Sequence, residues 1–229
     1  MLQTMRKMSE HSSSLLLLLL LSADSVFIVF HIVIRIFDPN PSLCNISGIC
    51  AYMHSYHLIK LFWIIILFGY VLKLTKCSSY VSWILVFTYF LFDDALLIHQ
   101  NVGSHVADIF DVHLPYNLNL PPRYFELSVL AFAGIILLAI VAWTYFHSSR
   151  TFRKISIDML LFIAALVFFG LIVDLAEAAK LEPAAIFGLG FVEDGGELVV
   201  DSLILWYVFL LAIRNGKPDY FLHDLSYQP

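Results

Sequence analysis

Carboxylates occur in this sequence inside segments that are otherwise too apolar for a solvent-exposed surface. Asp93 and Asp94 lie near the end of one apolar segment, Asp174 lies near the end of another, and Asp201 falls inside the last one. A carboxylate in hydrocarbon costs several kcal/mol unless it is paired, protonated or bound to a metal. These four acids are therefore candidates for a functional site.

A second acidic group shares a helical face with Asp201. Glu193, Glu197 and Asp201 are spaced four residues apart and form one stripe, and Asp194 lies three residues before Glu197. Like charges at this spacing repel, so protons, a cation or water must offset part of them. Alternatively, these residues open a helix, where the macrodipole favours anions and Asp194 could be the N-cap.

Histidines near these acids indicate metal chemistry, because carboxylate oxygens and imidazole nitrogens suit zinc, manganese or iron. His99 follows the aspartate pair, whereas His54 and His57 are expected to be solvated loop residues and His31 to pack between helices. A remaining carboxylate, Asp201, could act as a general base. The predicted metal ligands are Asp93, Asp94, His99, Asp174, Glu193, Asp194 and Glu197.

The composition places these residues in a membrane protein. Of the 229 residues, 60% are hydrophobic and 14% are charged, and the mean hydropathy is +0.85. Soluble domains average about 45–50% apolar and about 25% charged residues. The net charge of −5 and the lack of a basic tract argue against nucleic-acid binding. We expect one integral membrane domain over residues 1–229.

Hydropathy predicts an all-α bundle of six transmembrane helices, each near the ~20 residues that cross hydrocarbon. Arg6 and Lys7 precede a leucine run, as in a signal peptide, but the apolar stretch continues to spanning length. We therefore predict an uncleaved first helix; cleavage would leave five spans. The predicted spans cover residues 15–37, 58–74, 80–99, 126–146, 155–176 and 196–213.

The basic residues predict the orientation of these spans. Nine of the 13 lysines and arginines fall on the side that holds both termini, which predicts cytoplasmic termini, in a bacterial inner membrane. In this topology Asp24 lies in the cytoplasmic half of the first helix and Lys60 counts on the exoplasmic side. Cys44 and Cys50 share the first exoplasmic loop, where a disulfide is predicted.

Three elements of this sequence resemble a pattern found in a group of uncharacterised bacterial multi-pass membrane proteins. The pattern has Asp-Asp-x4-His at the end of one helix, here 93–99, and an acid that ends the penultimate helix, here Asp174. Glu-Asp-Gly then opens the last helix, here 193–195. In the pattern a glutamate follows the histidine, whereas this chain has Gln100, which removes one metal ligand. The resemblance implies no known activity.

Three functions fit these observations. The first is a metal centre at the exoplasmic boundary, where a metal-bound water could attack a lipid or another amphiphilic substrate. The second is an ion or proton pathway, with Asp24 and Asp158 as further polar steps. The third is a non-enzymatic membrane subunit or assembly factor with an acidic docking patch. Whether the protein is an enzyme therefore stays open at this point.

The three functions differ in the geometry that they require. A metal or catalytic site needs the acids to converge within ~5 Å, whereas a docking patch turns them towards solvent. We predict that Asp93 or Asp94, Asp174, and Glu193 or Asp194 face one pocket between the third, fifth and sixth helices.

Overall fold

The described part of the chain is entirely helical. A computed structural model describes the backbone of residues 2–37, 49–113, 122–178 and 183–216, and the side chains of residues 13–33, 52–109, 124–170 and 192–216. These residues form seven α-helices and no strand, which confirms the predicted all-α class. The helices are α1 (Leu2–Phe37), α2 (Ile49–Thr75), α3 (Tyr80–Leu96), α4 (Ile98–His113), α5 (Pro122–His147), α6 (Arg150–Ala178) and α7 (Pro183–Ile213).

Fewer than the predicted six spans are found among the described residues. Four segments are long and apolar enough to cross a membrane, and a fifth arises if the bent pair α3 and α4 forms one span. Helix α6, where the fifth span was predicted, is not among them, and its described part carries Arg153, Lys154 and Asp158. The four segments are Ser13–Val33, Tyr52–Thr75, Tyr124–His147 and Val192–Ile213.

Three helices begin well before the predicted boundaries. Helix α1 starts at Leu2 rather than at residue 15, α2 at Ile49 rather than at residue 58, and α7 at Pro183 rather than at residue 196. Proline is favoured in the first helical turn because it lacks the N–H group that has no partner there. The early start of α7 places Glu193, Asp194 and Glu197 inside the helix. The interpretation of these acids as helix-opening residues, with Asp194 as the N-cap, is therefore wrong.

The predicted third span is interrupted by a bend. Leu97 adopts a left-handed conformation (φ 50°, ψ 45°), and its N–H bonds to the carbonyl of Asp93. Helix α4 then leaves α3 at an angle of 65°. The chain thus changes direction two residues before His99, where the sequence predicted that one straight helix would end.

The apolar core is built mainly by α2, α3, α6 and α7. Phe68 of α2 stacks on Phe87 of α3 with ring centroids 5.7 Å apart, and Phe152 of α6 meets Tyr80 edge-on at 5.3 Å. Helix α5 lies at the periphery and packs chiefly against α4. Fully buried core residues include Ile64, Phe68, Val71, Phe87, Ile155, Met159, Ile204 and Val208.

The α4–α5 contact depends on a glycine. A Cβ atom added at Gly103 would lie 2.6 Å from the Cα atom of Glu126, whereas one added at Gly134 of α5 meets nothing within 4 Å. We expect Gly103→Ala to be less stable than Gly134→Ala by about 1–3 kcal/mol, the usual cost of overpacking. Both variants gain the same helix propensity, so the difference in thermal unfolding of the purified protein reports the clash. Equal stabilities would contradict the close approach of α4 and α5.

Candidate functional site

The adjacent aspartates of α3 point to different partners. The buried Asp93 carboxylate accepts hydrogen bonds from the backbone N–H of His99 (3.0 Å) and pairs with its ring Nδ1 (2.7 Å). The first N–H groups of a helix have no partner within that helix, so Asp93 satisfies one of them at the start of α4. Asp94 instead lies 2.7 Å from Nε2 of His57 on α2. Asp93 therefore stabilises the bend, and Asp94 faces the bundle.

This role of Asp93 is testable. Asp93→Ala removes the acceptor at the start of α4, and loss of such a cap typically costs about 0.5–2 kcal/mol. We expect faster amide hydrogen exchange in residues 98–113, measured by mass spectrometry. The exposed Asp108 lies on the same helix, and Asp108→Ala serves as the control. Identical exchange in the two variants would contradict a capping role for Asp93.

His57 joins two carboxylates from different helices. Its Nε2 lies 2.7 Å from Asp94, and its Nδ1 contacts Oδ2 of Asp201 on α7. The side chain of Asp94 is 35% exposed, whereas that of Asp201 is fully buried. Both imidazole nitrogens can donate at once only when the ring is protonated. The other Asp201 oxygen, Oδ1, has no hydrogen-bond partner among the described residues.

A fully buried ion pair lies one turn from His57. Lys60 Nζ donates to Oδ1 of Asp24 on α1 at 2.5 Å and to the backbone carbonyl of Leu198 at 2.8 Å. Ser202 donates to the other Asp24 oxygen at 2.6 Å, and the Tyr56 ring lies 4.3 Å from the ammonium. The contacts of Lys60 and Asp24 described here therefore all lie within α1, α2 and α7.

This pair corrects the depths predicted for two residues. The predicted topology separated Asp24 and Lys60 into opposite halves of the membrane, but their charged atoms are in contact. Asp24 lies 13 residues before the end of α1 (37 − 24), and Lys60 lies 11 residues after the start of α2 (60 − 49). The two residues sit at similar distances from the α1–α2 connection, because α2 begins earlier than hydropathy indicated.

We expect Lys60 and Asp24 to depend on each other for stability. Lys60→Met leaves the Asp24 charge buried and uncompensated, which typically costs about 3–5 kcal/mol. The double variant Asp24→Asn, Lys60→Met should recover most of this loss, because neither position then carries a buried charge. Unfolding in detergent measures the effect, with Lys73→Met, at an exposed lysine of the same helix, as the control. A double variant no more stable than Lys60→Met would contradict this pairing.

An open cavity of about 170 Å³ lies beside His57. Four helices supply its walls, and three of the predicted acids, Asp94, Asp194 and Glu197, line it together. Oδ2 of Asp194 is 3.4 Å from Nδ1 of His31. The lining residues are His31, Met53, His54, His57, Asp94, Asp194, Glu197 and Leu198.

The other predicted ligands do not join this cavity. Asp93 and His99 pair with each other at the bend, Asp201 lies behind His57, and Glu193 is half-buried beside the lining residues of α7. The side chain of Asp174 lies outside the described residues. Across the described side chains, no three His, Cys, Asp or Glu residues are grouped so that they could hold a metal ion.

Several other predictions fall outside the described residues. Cys44 and the side chain of Cys50 are not described, so the predicted disulfide stays a prediction. Cys77, expected to be a free thiol, is free. The cytoplasmic location of the termini stays a prediction as well.

Sequence reasoning missed the residues at the centre of the site. His57 was assigned to a solvated loop and Lys60 to the end of a span, because the hydropathy of α2 rises only after residue 57. A usable signal was present in the spacing. His54, His57 and Lys60 follow one another at three-residue intervals, so a helix that includes them presents all three on adjoining positions.

Comparison with known proteins places the chain in a family. The model of a domain of unknown function, DUF8692, matches residues 56–213, and the chain belongs to this family. The match includes His57, Lys60, Asp94 and Asp201, whereas Asp24 precedes it. No curated protein and no solved structure matches the chain. The three elements of the bacterial membrane-protein pattern all fall within the matched residues.

Proposed function

We propose that this member of DUF8692 is a membrane transport protein that moves protons through Asp94, His57 and Asp201. The observation that carries the proposal is the double contact of His57, with one ring nitrogen on the half-exposed Asp94 and the other on the buried Asp201. Imidazole can accept a proton at one nitrogen while releasing one at the other. Carboxylates and histidines inside membrane proteins commonly form such relays.

The charges around His57 favour reversible proton binding. Lys60 pairs with Asp24, whereas Asp94 and Asp201 both contact His57, so these three carboxylates share one fixed cation. Protonation of His57 supplies a second cation for these three carboxylates. A proton that passes from the cavity through Asp94 to His57 therefore offsets the repulsion between Asp94 and the buried Asp201.

The other two functions receive less support from the contacts. A metal-dependent attack on a lipid requires ligands to converge, yet Asp93 and His99 are engaged with each other and Asp94 with His57. A docking patch requires acids that turn towards a partner, whereas Asp201 is fully buried and Glu197 lines the cavity. The proton relay, in contrast, requires only the contacts of His57 with Asp94 and with Asp201, and both are observed.

Proton flux in liposomes tests the proposal. We expect protein reconstituted with an internal pH-sensitive dye to acidify the lumen when a potassium gradient with valinomycin sets an inside-negative potential. His57→Gln and Asp201→Asn should each slow this flux by roughly tenfold or more, which corresponds to a barrier increase of only about 1.4 kcal/mol.

A second carboxylate of the bundle provides the control. The exposed Asp108 of α4 lies outside the cavity and pairs with no member of the relay. Asp108→Asn should therefore keep the wild-type rate. Equal rates in wild type, His57→Gln and Asp201→Asn would refute the relay.

A further inference from the structure

Helix α5 has an apolar surface that the described part of the bundle leaves uncovered. Only 6% of the most apolar stretch of this helix is buried inside the protein, compared with 56% for α7. Phe132, Ile135 and Phe146 are each at least 66% exposed. Lipid tails are as apolar as these side chains, and α5 is long and apolar enough to cross a membrane. Acyl chains are therefore the partner that this surface fits.

A group of cations lies directly at the end of this surface. The α5–α6 turn consists of two residues, 148–149, and α6 then begins with Arg150, followed closely by Arg153 and Lys154. Residues three and four positions apart are neighbours on a helix surface. The three cations therefore lie together where the apolar surface of α5 stops.

Arg153 is fixed in position by the end of α5. Its Nε donates to the backbone carbonyl of Tyr145 at 3.0 Å, and its Nη2 donates to that of Phe146 at 2.8 Å. The last carbonyl groups of a helix have no partner within that helix, so Arg153 caps α5. A guanidinium carries five N–H groups, and these two bonds leave three for an anion. Arginine is suited to phosphate because its planar fork can donate two parallel hydrogen bonds.

The outer face of α6 changes from charged to apolar with depth. Arg150 and Lys154 are exposed. Ile157 and Leu161 lie three and seven residues after Lys154 on the same face, and they are 45% and 53% exposed. Tryptophan is enriched at the level of lipid headgroups, and the exposed Trp143 lies one turn before the end of α5. Both helices thus combine charge at the turn with apolar surface beyond it, as a phospholipid does.

The charges at this place distinguish an anionic lipid from a zwitterionic one. No acidic residue occurs between Glu126 and Asp158, a range that holds the three cations and the apolar surface of α5. Asp158 is directed towards α7, where it accepts a hydrogen bond from the Tyr207 hydroxyl at 2.5 Å. A zwitterionic headgroup would add a cation of its own to this group, whereas an anionic headgroup adds only the charge that the cations attract.

We infer that the α5–α6 turn binds an anionic phospholipid from the membrane. The phosphate contacts Arg150, Arg153 and Lys154, and the acyl chains lie along the exposed apolar surfaces of α5 and α6. This interaction is a property of the protein beyond the proposed proton transport.

The lipid site lies far from His57. The Ser148 hydroxyl contacts that of Ser79, so the α5–α6 turn adjoins the connection that follows Thr75 at the end of α2. His57 lies 18 residues before Thr75 (75 − 57), about 27 Å along the helix. The lipid site and the relay therefore use separate residues, and either inference can fail while the other stands.

Native mass spectrometry of the purified protein, with lipid added to the detergent solution, tests this inference. We expect the first molecule of phosphatidylglycerol to bind more tightly than phosphatidylcholine with the same acyl chains. Arg150→Gln, Lys154→Gln should weaken phosphatidylglycerol binding roughly 30-fold, given the usual contribution of a cation beside an anionic lipid. Binding of phosphatidylcholine should change little in this variant.

A matched variant removes the same charge elsewhere at this end of the bundle. Lys73 and Lys76 are exposed at the end of α2 and just after it, and Lys73→Gln, Lys76→Gln should weaken binding less than about threefold, because only weak long-range attraction is lost. An equal loss of affinity in both double variants would overturn the inference, since it would show unspecific attraction by net charge.

Two further measurements keep the test decisive. If Arg150→Gln, Lys154→Gln does not fold, the wild type decides, because its preference for phosphatidylglycerol must decrease as the ammonium acetate concentration rises. Glycerol phosphate, which has the headgroup phosphate without acyl chains, should not displace the lipid at equal concentration. Displacement by it would overturn the inference in favour of a soluble phosphate. Equal affinity of the wild type for the two lipids, or a dimer of the chain that forms in place of the lipid complex, would overturn it as well.

Discussion

The contact between Lys60 and Asp24 is the constraint on which the rest of this site depends. Neither charge has access to solvent, and an ammonium or carboxylate in such a place is tolerated only with a close partner of opposite charge. The Leu198 carbonyl and the Ser202 hydroxyl complete the hydrogen bonds of the pair. Because these groups belong to α1, α2 and α7, satisfying one buried charge sets the mutual position of three helices.

That position brings the chemistry together. With Lys60 held on α2, His57 is presented one turn away, and with Ser202 held on α7, the neighbouring Asp201 faces His57. The third partner, Asp94, arrives on α3, whose end is shaped by a different acid, Asp93. Asp93 and Asp94 have different partners because successive residues of a helix point about 100° apart.

The sequence predicted the class of fold better than its details. Composition and apolar segment length were sufficient to predict an all-α fold with several helices long and apolar enough to cross a membrane. Helix boundaries were less predictable, since polar residues at the start of α2 lower hydropathy without ending the helix. The bend at Leu97 carried no signal, because neither glycine nor proline marks it.

The sequence predicted part of the candidate site, namely its acidic residues but not their partners. Its position in an apolar segment indicated Asp94, and helical spacing relative to Asp201 indicated Asp194 and Glu197; these three residues do line one cavity. Their partners were harder to identify, because a histidine or lysine at a segment end normally reaches solvent. Pairing depends on which helices become neighbours, and hydropathy holds no information about that. Asp93 was assigned as a metal ligand because local sequence does not distinguish a carboxylate that caps a bend.

The helix-to-helix distribution of these contacts has a consequence for motion. Lys60 fastens α1, α2 and α7 to one another, whereas at the cavity α3 meets them through the Asp94–His57 contact. A helix rotation of α2 alone would break both attachments at once, so α1, α2 and α7 are expected to move as one body. Under the proposed relay, loss of the proton from His57 would leave one of its two carboxylate contacts without a donor, so the occupancy of a single imidazole controls how firmly α2 is joined to both α3 and α7.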